Sequence, residues 1–226
     1  MKNIVAFCST CLLVASAATA QTYTFQAITA TNAVNTAAGE AQLRMTVSAV
    51  GTTQVNFRFF WEGTTAMSIT QIYFDDENGG PGVLGTIASL TGFGGVDYSA
   101  GFGPLGPDDL PSGENVDFEA SLRAAANAPV SPSGINRAYP DEYLDIVINL
   151  FGTNTLTDVI TALNQGFVGP DNHGLRVGMH VQAIGAGGSE SFVNNIVPLP
   201  PAAWAGLATL GGIAGLRSLR RHRLAN

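Results

Sequence analysis

Apolar and polar residues alternate with a period of two along much of this chain. In the run from Gln54 to Trp61, one face would carry Val55, Phe57, Phe59 and Trp61. The other face would carry Gln54, Asn56, Arg58 and Phe60. The run from Leu175 to Ala183 alternates in the same way. Successive side chains of a strand point to opposite faces, so each run predicts a strand with one buried and one wetter face.

Turn-forming residues separate further strand-like runs. We predict additional strands at 23–29, 42–50, 68–74, 83–90, 92–98, 116–122 and 143–151. One stretch, Thr155 to Gln165, has helical spacing. The pattern predicts an all-β fold, an antiparallel β-sandwich of jelly-roll-like form with one short helix. Glycine and proline predict long loops through most of the region between Glu77 and Gly113.

Charge is segregated along the chain. The body from Gln21 to Ile196 has five arginines, no lysine and seventeen acidic residues, a formal charge of −12. Such a body repels polyanions, which argues against nucleic acid and leaves divalent cations and neutral glycans as candidate partners. Both cysteines, Cys8 and Cys11, precede the body, so thiol chemistry is excluded there.

The N-terminal segment has the three parts of a secretory signal peptide. Lys2 precedes an apolar run from Ile4 to Val14, and the small residues Ala18-Thr19-Ala20 precede Gln21. We predict that residues 1–20 are a signal peptide. Signal peptidase is expected to recognise Ala18 and Ala20 and to cleave before Gln21.

The C-terminal segment also has three parts. A proline-rich motif of Val197, Pro198, Leu199 and Pro200 precedes an apolar stretch from 202 to 216, and basic residues follow at Arg217, Arg220, Arg221 and Arg223. As a helix this stretch would span about 22 Å, or about 27 Å if it extends to Leu219, which predicts a C-terminal transmembrane-type helix. Terminal arginines place the tail on the cytoplasmic side.

This three-part order resembles the PEP-CTERM sorting signal, in the variant where Leu199 stands in place of the Glu of Val-Pro-Glu-Pro. The resemblance covers residues 197–226 and implies that exosortase, a membrane protease of Gram-negative bacteria often found with exopolysaccharide production, recognises Val197 to Pro200. It implies an inner-membrane intermediate, followed by a product at the cell surface or in the extracellular matrix. A plain single-pass anchor is the alternative.

The densest polar cluster of the body contains Asp75, Asp76, Glu77 and Asn78. Closely spaced oxygen ligands at a turn suit Ca²⁺, although the spacing is not that of an EF-hand, and the same residues are ordinary turn formers. The sequence therefore leaves a calcium site and a plain turn as alternatives, and no other cofactor is expected.

Nothing in the body has the pattern of a catalytic site. No Gly-x-Ser-x-Gly elbow occurs, His173 and His180 are isolated, and the acidic residues fall beside turns or on predicted solvent faces, except Asp117, Glu119 and Asp145 in strands. Four aromatic residues near loops could stack on sugars or fill the core: Tyr98, Phe102, Tyr139 and Tyr143.

These patterns predict an exported, non-catalytic cell-surface or matrix protein that is sorted by exosortase and associated with exopolysaccharide. A calcium-dependent glycan-binding, lectin-like module is the alternative. An exported hydrolase remains a third candidate, since one sequence does not show which acids are paired.

Overall fold

A computed structural model describes residues 20–76, 82–101, 109–165, 174–185 and 187–195. The described strands are β1 (Gln21–Tyr23), β2 (Phe25–Ala27), β3 (Leu43–Val50), β4 (Gln54–Trp61), β5 (Ser68–Asp75), β6 (Leu84–Phe93), β7 (Tyr98–Ala100), β8 (Leu122–Ala126), β9 (Tyr143–Leu150), β10 (Arg176–Gln182) and β11 (Ser189–Asn194). The helices are α1 (Ala33–Gln42), α2 (Val130–Ser133) and α3 (Leu156–Gln165), and a 3₁₀ turn spans Gly113–Val116.

The strands form two antiparallel sheets. The five-stranded sheet has the order β1-β3-β4-β9-β6, and the six-stranded sheet has the order β2-β11-β10-β5-β8-β7. The predicted mostly β fold with antiparallel pairing is confirmed.

One apolar core joins the two sheets. Phe57 and Phe59 of the five-stranded sheet meet Phe74 of the six-stranded sheet edge-to-face, with ring centroids 5.0 and 6.1 Å apart. All three side chains are fully buried. The sheets are therefore arranged as in a sandwich, with their inner faces packed through interdigitated aromatic rings.

The alternating runs form strands, and their two faces differ in burial as predicted. In β4, Val55 and Phe57 are 0% exposed, whereas Gln54, Asn56 and Arg58 are half-buried on the opposite face. Strand β5 is buried along its whole length, and its Tyr73 packs with Leu110 and Phe118 in a second, smaller apolar cluster. The predicted strands at 42–50, 68–74, 83–90 and 143–151 correspond to β3, β5, β6 and β9, with ends that differ by a few residues.

The prediction of a single short helix is wrong. The helix predicted at Thr155–Gln165 forms as α3, but α1 is an equally long second helix and α2 is a short third one. Helix α1 has no apolar stripe, because the face that it buries consists of Asn35, Gly39 and Gln42. Gly39 lets the ring of Phe192 approach the helix backbone closely.

Three predicted strands are also wrong in extent. The predicted strand at 23–29 is divided between β1 and β2, which lie in different sheets. Most of 92–98 is the turn after β6, where Gly94 and Gly95 adopt positive φ angles of 80° and 108°. Of the 116–122 run only Leu122 lies in a strand, since Asp117 has a left-handed backbone after the 3₁₀ turn.

Within the described ranges, no helix is long and apolar enough to cross a membrane. The predicted C-terminal helix and its proline-rich motif and arginines lie outside these ranges, as do Ala18 and the rest of residues 1–19.

Candidate functional site

The outer face of the five-stranded sheet carries rows of hydrogen-bonded polar side chains. Gln54 Nε2 donates to Asn149 Oδ1 at 2.8 Å, and Asn149 Nδ2 donates to Thr86 Oγ1 at 3.0 Å. These residues lie on three neighbouring strands, β4, β9 and β6. Thr46 and Ser48 of β3 continue the polar face, opposite Arg58 and Asn56 of β4. This face thus presents amide and hydroxyl groups to solvent.

The carboxylate of Asp145, on the same outer face, accepts hydrogen bonds from three donor groups. Arg58 Nε and Nη2 donate to Asp145 Oδ1 and Oδ2 at 2.8 and 2.7 Å, and Asn56 Nδ2 donates to Oδ1 at 2.9 Å. Burial raises the pKa of Asp145, but the hydrogen bonds from Arg58 and Asn56 outweigh it and hold the pKa below its ordinary value. The same pairing raises the pKa of Arg58. The two charges therefore compensate each other at neutral pH.

Four aromatic rings follow at one end of this face, and we call Phe60, Tyr139, Tyr143 and Phe93 the aromatic strip. Phe93 stacks on Tyr143 with centroids 5.0 Å apart and planes at 10°. Tyr143 and Tyr139 are 6.0 Å apart, and Tyr139 and Phe60 are 4.8 Å apart. The Arg58 guanidinium lies over the Tyr143 ring, with Cζ 4.1 Å from its centroid. Phe93 is 51% and Tyr139 41% exposed, so the strip reaches solvent.

A buried carboxylate holds the loop that presents Tyr139. Glu142 is 3% exposed, and its carboxylate accepts from the backbone N–H groups of Asn136 at 2.6 Å and Arg137 at 2.8 Å, and from Arg137 Nε at 2.7 Å. Arg137 Nη2 also donates to the carbonyl of Gly94, in the turn that follows Phe93. These bonds connect the loop that carries Tyr139 with the turn that follows Phe93, so the two exposed rings of the strip are held by one framework.

The sequence singled out two of the four rings of the aromatic strip and left open whether they bind sugar or fill the core. Tyr139 and Tyr143 lie in it, whereas Tyr98 is 8% exposed and donates its hydroxyl to the Ile69 carbonyl inside the core. Phe102 lies outside the described residues. Phe60 was missed as a site residue, although it occupies an outward position in the alternating β4 run.

The predicted calcium ligands lie elsewhere, at the end of β5 in the six-stranded sheet. Asp75 Oδ2 accepts from Arg176 Nε at 2.8 Å and also from Arg176 Nη2, and Asp76 Oδ2 accepts from the Leu84 N–H at 2.6 Å. Glu77 and Asn78 lie outside the described residues. Among the residues that are described, no three His, Cys, Asp or Glu side chains are grouped as metal ligands would be.

Some of the acidic residues that the sequence places beside turns or on solvent faces are nevertheless buried. Asp75 is 0% exposed, and Glu190 is 1% exposed. The Glu190 carboxylate accepts from the Thr29 hydroxyl at 2.5 Å, from the Thr31 hydroxyl and from the Asn32 N–H at 2.8 Å. Burial raises the pKa of Glu190, but these donors outweigh it and hold the pKa below its ordinary value. These acids therefore anchor loops to the sheets.

A cavity of about 500 Å³ lies beside β2, on the six-stranded sheet. Its lining includes Gln26, Ile28, Asn115 and Val193, and Arg176 reaches it from β10. Arg176 donates to the carbonyls of Val116 and Asp117 in addition to Asp75. The cavity therefore has amide and apolar walls and a cation whose charge is compensated by its own carboxylate.

The isolated histidine of β10 makes one weak polar contact. His180 Nδ1 lies 3.3 Å from Ser191 Oγ, and burial lowers the pKa of His180. A neutral imidazole beside a hydroxyl is an ordinary structural pair. His173 lies outside the described residues.

Of these places, the aromatic strip has the chemistry that most resembles a ligand-binding surface. A neutral sugar ring has an apolar C–H face and a rim of hydroxyl groups. Exposed rings can stack on the apolar face, and amide or carboxylate groups beside them can bond the rim. Comparison of the chain with family models, with curated proteins and with solved structures gives no match.

Proposed function

We propose that this chain is an exported, non-catalytic surface or matrix protein that binds neutral glycan on the outer face of its five-stranded sheet. The observation that carries the proposal is the aromatic strip, in which Phe93 and Tyr139, the rings on either side of Tyr143, are 51% and 41% exposed. Exposed aromatic rings that adjoin one another on a rigid sheet are a feature of binding surfaces.

Charge favours a neutral ligand. The body has a formal charge of −12 and no lysine, so an acidic polysaccharide would be repelled. The cation nearest the strip, Arg58, is already paired with Asp145 through two hydrogen bonds. A neutral glycan needs no counter-charge, and the polar side chains of Asn56 and Asp145 beside the strip supply groups that can bond sugar hydroxyls.

We further propose that this binding is independent of calcium. The acids considered as calcium ligands, Asp75 and Asp76, lie in and just after β5 of the six-stranded sheet, away from the strip in the other sheet. Both also accept hydrogen bonds from protein groups. EDTA should therefore leave glycan binding unchanged.

In this proposal the N- and C-terminal segments direct the protein out of the cytoplasm and to the cell surface or matrix. Signal peptidase would cleave before Gln21, and exosortase would act at Val197 to Pro200 after the inner-membrane intermediate has formed. A mature chain that begins at Gln21 would keep all of β1. The repeated crossings between the sheets, as from β4 to β5 and from β5 to β6, support a jelly-roll-like description of the sandwich.

Retention of the full chain on immobilised neutral polysaccharides tests the binding proposal. We expect retention on at least one of dextran, cellulose and laminarin, with no retention on alginate, and the same result with EDTA. A chain that none of the neutral polymers retains would contradict the proposal. Retention that EDTA abolishes would instead favour the calcium-dependent alternative.

Single substitutions locate the binding surface. Phe93 exposes about 100 Å² of ring surface, and a sugar that covers one face would bury about half of it, worth about 1 kcal/mol. Phe93→Ala should therefore weaken binding about five- to tenfold. Phe151 is a matched control, because it is 50% exposed just beyond the opposite end of β9. Phe151→Ala should bind normally.

The mass of the mature protein tests the proposed processing. Purification from a Gram-negative host with exosortase should give an N-terminus at Gln21 and a C-terminus within Val197 to Pro200. In a host without exosortase, the C-terminus should extend to Asn226. The same full-length C-terminus in both hosts would favour the single-pass anchor.

A further inference from the structure

Strand β6 is a long edge strand. It pairs on one side with β9, and within the part of the chain that the structure describes no strand pairs with its other side. An edge strand directs alternate N–H and C=O groups outward, where they can pair with another chain. The other edge strands, β1, β2 and β7, have three residues each, whereas β6 has ten.

The β6 edge lacks charged protection. No charged residue occurs from Gly82 to Val96, although the body around it has a formal charge of −12. Proteins commonly protect a free edge with lysine, other charges or proline, and none of these occurs in β6. Two copies could therefore meet along β6 without bringing like charges together, whereas contact elsewhere on the acidic body would be opposed.

The core is also incompletely covered at this edge. Ile87 and Leu90 pack against the core but are only partly buried. A neighbouring strand along β6 would cover these aliphatic side chains further. Burial of apolar surface would then add to the hydrogen bonds of the new ladder.

The regular part of β6 defines where a second strand fits. Register shifts occur between Leu84 and Ile87 and between Ile87 and Ser89, and pairing with β9 is regular from Ser89 to Phe93. Irregular pairing of this kind disturbs the strand edge and leaves the later residues as the better template. Thr91 is the midpoint of the regular segment, and its side chain is exposed.

From these observations we propose that two copies of this chain associate by antiparallel pairing of their β6 edges about a two-fold axis at Thr91. The two five-stranded sheets then become one ten-stranded sheet. Because each copy has one long free edge among its described strands, the contact closes as a dimer and does not propagate. The two-fold axis is perpendicular to the sheet, so both aromatic strips lie on the same face. That consequence for binding rests on the proposed function, whereas the dimer itself does not.

Disulfide trapping tests the pairing. Opposed residues of an antiparallel pair have Cα atoms about 4.5 to 5.5 Å apart, within the range that a disulfide spans. In a full chain with Cys8→Ser and Cys11→Ser, mild oxidation of Thr91→Cys should give a covalent dimer. Ala49→Cys, exposed on β3 of the same sheet, is the control and should remain monomeric. A monomeric Thr91→Cys chain, or equal trapping at both positions, would overturn the proposal.

Sedimentation of the chain without cysteine substitutions provides the second measurement. The unsubstituted full chain should dissociate on dilution from dimer to monomer, and Thr91→Lys should shift it to monomer because two lysines would face each other at the axis. Thr46→Lys adds the same charge to the same sheet face on β3, away from the edge, and should remain dimeric. A monomer at every concentration would overturn the proposal whether or not the glycan is bound.

Discussion

Loss of one partner of the buried ion pair between Arg176 and Asp75 should destabilise the fold more than loss of one partner of the more exposed pair between Arg58 and Asp145. The two side chains are 4% and 0% exposed, whereas those of Arg58 and Asp145 are 33% and 19% exposed. Asp75→Asn would leave the Arg176 cation buried without its carboxylate, which costs about 3 to 5 kcal/mol. Asp145→Asn, the control, should cost less, about 1 to 2 kcal/mol, because both side chains of that pair stay partly exposed to solvent.

Urea denaturation of the full chain measures this difference as a change in the free energy of unfolding. The same loss should appear as a fall in Tm of about 6 to 20 °C for Asp75→Asn. The double variant Arg176→Met with Asp75→Leu should recover most of the loss, since it removes both charges. An Asp75→Asn variant that unfolds with the same free energy as Asp145→Asn would refute the argument that the buried charges need each other.

Two further variants test other buried contacts. Glu190→Gln should make the free energy of unfolding depend less steeply on pH in acid. A carboxyl whose pKa is lowered in the folded state stabilises the fold above its ordinary pKa of 4.5, and this stabilisation is lost as the pH falls. Urea midpoints from neutral to acid pH measure this, and equal slopes for both proteins would contradict it. Gly39→Ala should destabilise by about 1 to 3 kcal/mol despite alanine's helix propensity, because its Cβ would lie 2.1 Å from Phe192 Cζ. A rise in Tm would show that the ring can move aside.

The strands were predictable because burial on one side leaves a pattern in the residues. The β4 run shows this, since Val55 and Phe57 are buried and Asn56 is not. Helix α1 was not predictable by the same reasoning, because its buried face is built from Asn35, Gly39 and Gln42. Its start did have a signal in Asn32, whose side chain caps the N–H groups of Val34 and Asn35.

The aromatic strip depends on strand pairing, which the residue pattern does not specify. Tyr139 and Tyr143 could be selected as aromatic residues near loops, but their ring neighbours Phe60 and Phe93 come from β4 and β6. The burial of Asp75 could not be identified for the same reason, because its partner comes from another strand. Asp75 directly follows the strand predicted at 68–74, as a turn residue would, and its partner Arg176 lies 101 residues away in sequence.

We propose above all that neutral glycan contacts the aromatic strip, and the ring resonances of the full chain measure that contact directly. Addition of an oligosaccharide from a retained neutral polymer should shift the ring signals of Phe93, Tyr139 and Tyr143 and leave those of Phe151 unchanged. Ring signals of the strip that stay unchanged at saturation, or that shift no more than those of Phe151, would contradict the claim.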